Sequence, residues 1–204
     1  MILSSFDFDK NYLLEDNRAL LQPLNENNSH HLLHFSLNEP DIWQFSLIPM
    51  QGEENFNKYI QATLQSRIQK IAYPFIVFDK RTNQYAGSTR FYDIQLNNSA
   101  LQLGYTWYGK QFQRTGLNRH SKYLLLQFAF ETMGMQRVEF RADNNNLRSI
   151  NAMKAIGCTV EGVLRSNVPN ATGGRRDSIV LSILRHEWFT TVKADLEERI
   201  NSYA

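Results

Sequence analysis

Hydrophobic and polar positions alternate with a period that changes several times along the chain, and each change marks an element. Arg18-Ala-Leu-Leu-Gln-Pro-Leu reads as a first strand, ended by Pro23, which has no N–H to give to a sheet ladder. Asn25-Glu-Asn-Asn-Ser carries N-cap residues ahead of Leu32, Leu33 and Phe35, which predicts a short helix. Between Asn55 and Ile68, apolar residues at Phe56, Tyr59, Ile60, Leu64 and Ile68 follow the spacing of an amphipathic helix. Residues 1–16 show no such period and are expected to wrap the surface as an N-terminal extension.

The period then shortens. Tyr73-Pro-Phe-Ile-Val-Phe is a compact strand, followed by the polar turn Lys80-Arg-Thr-Asn-Gln. Tyr85 to Tyr92 is a second strand, Gln95 to Ser99 a turn around Asn97-Asn98, and Leu101 to Trp107 a third strand. Polar turns of this length predict an antiparallel meander. From Gly116 to Phe130, Leu117, Tyr123, Leu124, Leu126, Phe128 and Phe130 suit a helix laid on a sheet, ended by Gly134. Val138-Glu-Phe-Arg-Ala is a further strand, and Asn146 to Ile156 a helix closed by Gly157. Cys158 to Leu164 and Ser178 to Leu184 read as a hairpin with Asn170-Ala-Thr-Gly-Gly at its tip, and Glu187 to Ile200 as a last helix within a C-terminal segment 187–204. The order β-α-α-β-β-β-α-β-α-β-β-α, without repeat or linker, predicts one α+β domain over 1–204.

Composition narrows the partners. A chain of 204 residues, 42% hydrophobic, can bury one real core. Lys and Arg exceed Asp and Glu by only 22 to 20 and are spread along the chain, which argues against nucleic acid. The single cysteine, Cys158, rules out an internal disulfide, and no apolar stretch approaches the ~20 residues needed to cross a bilayer. The start, Met1-Ile-Leu-Ser-Ser-Phe-Asp, lacks the features of a signal peptide, so a cytoplasmic protein without membrane partners is expected. His30 and His34 lie one helical turn apart beside His31, but no acidic or Cys partner completes a metal site, so solvated or capping histidines and no metal are expected.

The chemistry concentrates in Leu101-Gln-Leu-Gly-Tyr-Thr-Trp-Tyr-Gly-Lys-Gln-Phe-Gln-Arg-Thr-Gly-Leu-Asn-Arg-His-Ser-Lys, a strand that runs into a loop opening a helix at Gly116. A helix N-terminus presents unpaired N–H groups and a partial positive charge, and Gly116 lets a ligand approach closely. Arg114, Arg119 and Lys122 add positive charge. Spacing alone is equally compatible with an ordinary helix start ringed by solvated basic residues.

Four further segments extend this one. Gln113-Arg-Thr-Gly-Leu-Asn resembles the Gln/Arg-x-x-Gly-x-Gly/Ala loop of the GNAT acetyltransferases, and Leu103-Gly-Tyr-Thr-Trp the strand before it in the RimJ/RimL branch. Arg137-Val-Glu-Phe-Arg-Ala-Asp is similar to the next strand. Asn146-Leu-Arg-Ser-Ile-Asn-Ala-Met-Lys-Ala-Ile-Gly resembles the branch's Asn-x-x-Ser helix, and Glu161-Gly-Val-Leu-Arg, Gly174 to Leu184 and Glu187-Trp its C-terminal hairpin. The resemblance spans roughly Arg18 to Trp188. Two positions depart from it: Asn118 stands where the loop has Gly or Ala, able to crowd a pyrophosphate or to bond it, and Cys158 where an aromatic is usual.

The resemblance implies a mixed, mostly antiparallel sheet of about seven strands flanked by helices, splayed at a cofactor cleft. It implies direct transfer from acetyl-CoA, as co-substrate, to a primary amine: a protein N-terminal α-amine, which the RimJ/RimL likeness favours, or a small-molecule amine. The residues it assigns to the cofactor are Tyr105, Thr106, Trp107, Gln113, Arg114, Thr115, Gly116, Leu117, Asn118, Arg119, Asn146 and Ser149. Ser149 matches the serine offered to the leaving sulfur, and Asn146 would contact the pantetheine arm or simply cap its helix. Glu161 and Glu139 are candidate general bases, although Glu139 shares a strand face with Arg141 and Asp143 and reads equally as a surface ion pair. Arg175 and Arg176 follow the hairpin tip as turn charges able to attract an acidic acceptor. A non-catalytic CoA-binding module remains the alternative, and a homodimer stays open. A nucleotide-binding protein of another class is disfavoured, because neither Gly-x-x-x-x-Gly-Lys-[Ser/Thr] nor Gly-x-Gly-x-x-Gly occurs.

Overall fold

A computed structural model describes residues 6–170 and 173–202. Its eight strands form one sheet: β1 (Leu14–Glu15), β2 (Ala19–Pro23), β3 (Ala72–Asp79), β4 (Gln84–Gln95), β5 (Ala100–Tyr108), β6 (Arg137–Asp143), β7 (Thr159–Pro169) and β8 (Arg175–Leu184). Their spatial order is β1-β2-β3-β4-β5-β6-β8-β7, antiparallel throughout except for the parallel pair β5–β6. The helices are α1 (Glu26–Ser29), α2 (Leu33–Asn38), α3 (Glu53–Ile68), α4 (Leu117–Gln127), α5 (Leu147–Ala155), α6 (Arg185–Glu187) and α7 (Lys193–Asn201). The α+β order is the expected one, with β1 as an eighth strand.

Local chemistry explains most boundaries. Asn25 caps α1 reciprocally: its side chain accepts from the Asn27 N–H, and its own N–H is taken by Asn28 Oδ1 at 2.9 Å. The meander keeps its polar turns, and β3 is buried almost throughout because neighbouring strands flank it and helices cover it. The helix over Leu117–Gln127 passes into a π-helical turn at Phe128–Thr132, and a second such turn, Trp188–Val192, joins α6 to α7. Fully buried Trp188 packs on Phe130 and donates its indole N–H to Glu131 Oε1 at 2.9 Å, tying the two turns together.

Two expectations change. The segment before Asp16 does not merely wrap the surface: Phe6 and Phe8 are buried, and Phe6 stacks on Tyr12 and meets Tyr73 and Phe128 edge-on. Large aromatic side chains at the start of the chain find an unfilled corner of the core. The hairpin is longer than its apolar stretches, because β7 is a mostly exposed edge strand whose pairing runs on to Val168↔Arg176 and Pro169↔Arg175. Part of the anticipated tip, Ala171 and Thr172, lies outside the described residues. The three histidines sit around a tight turn at His30–Leu32, where His31 stacks on Tyr85 and His34 Nδ1 lies 3.0 Å from the His31 carbonyl.

Candidate active site

The one parallel pair opens the site. β5 and β6 pair only at Ala100↔Arg137, Leu101↔Val138 and Gln102↔Glu139. Beyond that point β5 follows β4 to Gly87↔Tyr108, while β6 follows β8 to Asp143↔Ser178, and the two strands part. The gap holds a cavity of about 670 Å³, enough for a drug-sized ligand.

A bulge shapes its wall. Ser88 pairs with Trp107 and Arg90 with Gly104, so Tyr105 and Thr106 together oppose the single residue Thr89. Such an extra residue leaves the ladder and redirects its backbone groups. Tyr105 takes φ +50°, a left-handed conformation that costs a non-glycine residue about 1 kcal/mol or more and that recurs at ligand sites. Neighbours hold it there. The buried Arg90 guanidinium lies 4.1 Å from the Tyr105 ring centre and donates to Tyr59 Oη at 2.6 Å and Thr63 Oγ1 at 2.9 Å. The Tyr92 ring crosses Gly104, where a Cβ would come within 3.0 Å of it.

Beneath the bulge lies a charge. Thr106 Oγ1 is 2.8 Å from Thr89 Oγ1 and accepts from Lys122 Nζ at 2.7 Å. Lys122 is only 5% exposed, so it does not join the solvated charges expected around the loop. Burial pulls its ammonium down to about 7, against a small opposing pull from Cys158. Burial likewise pushes the Cys158 thiol up to about 12, in keeping with a core cysteine.

At the far end the chain turns through Arg114 at φ +62° and Gly116 at φ +90° into α4. Gly116 is required for that backbone angle, and a Cβ there would meet nothing within 4 Å, so the space in front of it is open. The N-cap Gly116 offers no side chain; the Arg119 N–H turns back to the Gly116 carbonyl at 2.8 Å and the Leu117 N–H leans on Thr115 Oγ1 at 3.5 Å, which leaves the Asn118 N–H to donate outward. Asn118 also lines the cavity, with Oδ1 buried and without a hydrogen-bond partner among the described residues. A helix start of this kind fits a phosphate-bearing ligand, whereas the unmatched Asn118 Oδ1 is an acceptor and calls for a donor group on the ligand.

The other expected residues fall into two groups. Tyr105, Thr106, Trp107, Gln113, Arg114, Arg119, Asn146 and Ser149 line the same cavity. Gln113 is fixed by donating to the Tyr108 carbonyl at 2.9 Å and accepting from Arg148 Nη1 at 2.9 Å. Asn146 caps α5, its Oδ1 taking the Ser149 N–H at 3.1 Å, and the Ser149 hydroxyl makes no hydrogen bond among the described residues. Thr115 faces a second pocket behind the loop, shared with Arg18, Arg81 and Arg119, and the Leu117 side chain is buried in the core.

Glu139 and Glu161 are not brought to the cleft. Glu139 accepts from Arg141 Nε at 2.7 Å and Arg137 Nη2 at 2.8 Å. Glu161 takes both terminal nitrogens of Arg137 and the Ser182 hydroxyl, and these bonds, Arg137 foremost, hold its carboxyl below the usual carboxylate range. Carboxylates so engaged are poorly placed to accept a proton from an acceptor in the cleft.

Sequence reasoning left out several wall residues, Trp43 and Met50 from the segment before α3, Tyr59 on α3 and Tyr92 on β4, and it named Lys122 as a loop charge without marking it as buried. Lys122 sits four residues before core Leu126 on the apolar stripe of its helix, a signal that could have marked it as buried. Among the described residues no group of three or more His, Cys, Asp or Glu is positioned to hold a metal ion, and no helix is long and apolar enough to cross a membrane.

Residues 18–159 match the family model of the acetyltransferase (GNAT) domain, which takes in the splayed strands, the loop and the start of the hairpin. The chain belongs to the GNAT acetyltransferase family. Its curated relatives include the "Putative ribosomal N-acetyltransferase YdaF" of Bacillus subtilis (strain 168), 28% identical over 50% of this chain and 55% of that protein. Among solved structures, a "putative acetyltransferase" from T. thermophilus is 30% identical, with a TM-score of 0.79 over 92% of this GNAT chain and 96% of the other. RimL, the ribosomal L7/L12 α-N-protein acetyltransferase solved with coenzyme A, shares the fold at a TM-score of 0.74 and 19% identity, over 85% and 98% of the two chains.

Proposed function

We propose that this GNAT chain transfers an acetyl group directly from acetyl-CoA to a primary amine, either a protein N-terminal α-amine or a small-molecule amine. The carrying observation is the continuous cavity that joins the open first turn of α4 to the Tyr105–Thr106 bulge and the unbonded Ser149 hydroxyl. Names borne by relatives, YdaF and RimL among them, favour a protein N-terminus.

Bound acetyl-CoA would supply an acyl group activated as a thioester. The loop from Gln113 to Arg119 would hold its phosphates, with the α4 first turn and Asn118 as donors. Backbone N–H groups turned out of the ladder at Tyr105 and Thr106 would face the carbonyl oxygen, where negative charge grows as the amine attacks. Asn146 orients the first turn of α5, and through it the Ser149 hydroxyl, which would hydrogen-bond the departing sulfur or pass it a proton and recover one from water in the cleft. With Glu139 and Glu161 held in ion pairs, the proton leaving the amine would pass to water in the cleft.

Acetyl-CoA incubated with peptides, amino acids and polyamines, with release of free thiol followed, tests this reading. Turnover above the acceptor-free rate supports it; tight CoA binding with no turnover across the panel would leave a CoA-binding module instead. For Ser149→Ala, kcat is expected to fall about 10²-fold, the contribution of a positioned proton donor, with CoA affinity within twofold of the parent. Full turnover would remove its role.

A further inference from the structure

The positive charge of the cleft is not confined to the loop end that would hold CoA phosphates. Its lining includes the basic side chains Arg114, Arg119, Lys122, Arg141, Arg148 and Arg176, against one carboxylate, Asp143. Arg114, Arg119 and Arg148 belong to the loop end, and Lys122 lies beneath the bulge. Arg141 and Arg176 lie elsewhere. The register Tyr92↔Gln102↔Glu139 puts Tyr92, Glu139, Arg141 and Asp143 on one sheet face, whereas α4 meets the other through Lys122 over Phe140. Asp143 pairs with Ser178, and Arg176, two residues along β8, shares that face.

Arg141 already has a partner, since its Nε donates to Glu139. Arg176 does not. Among the described residues its one hydrogen bond runs from Nε to Ser178 Oγ at 3.1 Å, and it enters no ion pair. It is nevertheless half-buried, and burial draws its pKa below the ordinary guanidinium value against the opposing pull of Asp143 and of Tyr92 and Tyr105. A planar fork of donors, partly stripped of water and facing a cavity, is matched best by a planar anion that takes two parallel hydrogen bonds.

We infer that the acceptor amine carries a carboxylate, and that Arg176 receives it on the face of the cleft opposite α4. Asp143 faces the same space and draws the positive amine end of such an acceptor, while Tyr92 and Tyr105 give it flat walls. The nature of the acceptor rests on the acetyl-transfer reading; the anion site does not. Two sources offer the same chemistry, the α-carboxylate of a free amino acid and the side-chain carboxylate of an acidic first residue in a peptide.

Calorimetry on the CoA-saturated protein separates them. One pair of ligands is an aspartyl and an asparaginyl tripeptide, both amidated at the C-terminus; the other is phenylalanine and phenylalaninamide. In one pair the carboxylate member is expected to bind at least about tenfold more tightly, the effect of one charge-assisted contact, and that pair identifies the source. In Arg176→Gln the ratio falls close to one. In Arg176→Lys, which keeps the charge and loses the fork, it falls part of the way. Equal binding within both pairs, or a ratio that survives in Arg176→Gln, overturns the inference. Thiol release with the same ligands is scored separately: a carboxylate preference without turnover keeps the Arg176 site and removes acetyl transfer, and turnover without preference does the reverse.

Discussion

Gly116→Glu is expected to abolish acetyl-CoA binding, raising Kd more than 100-fold, while the melting transition stays cooperative. The position is open, with nothing within 4 Å of an added Cβ, so the new side chain need not displace the core. It would instead stand before the first turn of α4 and place a negative charge where phosphate charge would sit. The φ of +90° adds a strain of about 1 kcal/mol for any residue with a Cβ. Gly116→Asn, which tolerates left-handed backbone and carries no charge, isolates that strain and should cost about tenfold or less. Calorimetric titration of both variants decides. Affinity unchanged in Gly116→Glu would remove the loop from the phosphate site.

The second large effect concerns Lys122. In the unfolded chain a lysine titrates near its ordinary value of 10.5, whereas in the fold burial brings Lys122 to about 7. Between these values the unfolded state binds the extra proton, so this group makes the fold more stable as pH rises from about 7 to 10.5. Below about 7 both states are protonated and the burial penalty is felt in full. Lys122→Met keeps the length of the side chain and removes the charge. Urea unfolding is therefore expected to show the variant more stable by a few kcal/mol at pH 6, with its advantage fading by about pH 10, where only the lost bond to Thr106 remains. An advantage that does not change with pH would mean that Lys122 is charged and solvated in the fold.

Lys122 also shows where sequence reading stops. The meander was legible because Tyr73–Phe78, Tyr85–Tyr92 and Leu101–Trp107 are compact runs divided by polar turns, and that pattern depends only on local burial. The loop and both helix starts were legible because Gly116 and Asn146 answer to local backbone needs. The positive φ of Tyr105 was not, because it arises from the register between β4 and β5, a relation between distant residues. Phe6 and Phe8 carry no period, so only the assembled core reveals their place. Arg176 stands one residue past two glycines and looks like part of a turn, yet β8 already begins at Arg175 and turns Arg176 toward the cleft, while Arg175 folds back on Ser166. The alternation Arg137, Glu139, Arg141, Asp143 gave the polar face of β6, but not that Arg137 would reach across to Glu161.

The short parallel pairing between β5 and β6 has a mechanical consequence. Three residue pairs are all that stitch β1–β5 to the trio β6, β8 and β7 within the sheet, so the ladder has a seam down its middle. Cooperativity across that seam must come from the helices that straddle it, α4 above all, more than from backbone ladders. Anything lodged in the gap and touching both lips binds only while the two halves are held together, so apparent stability rises with its concentration.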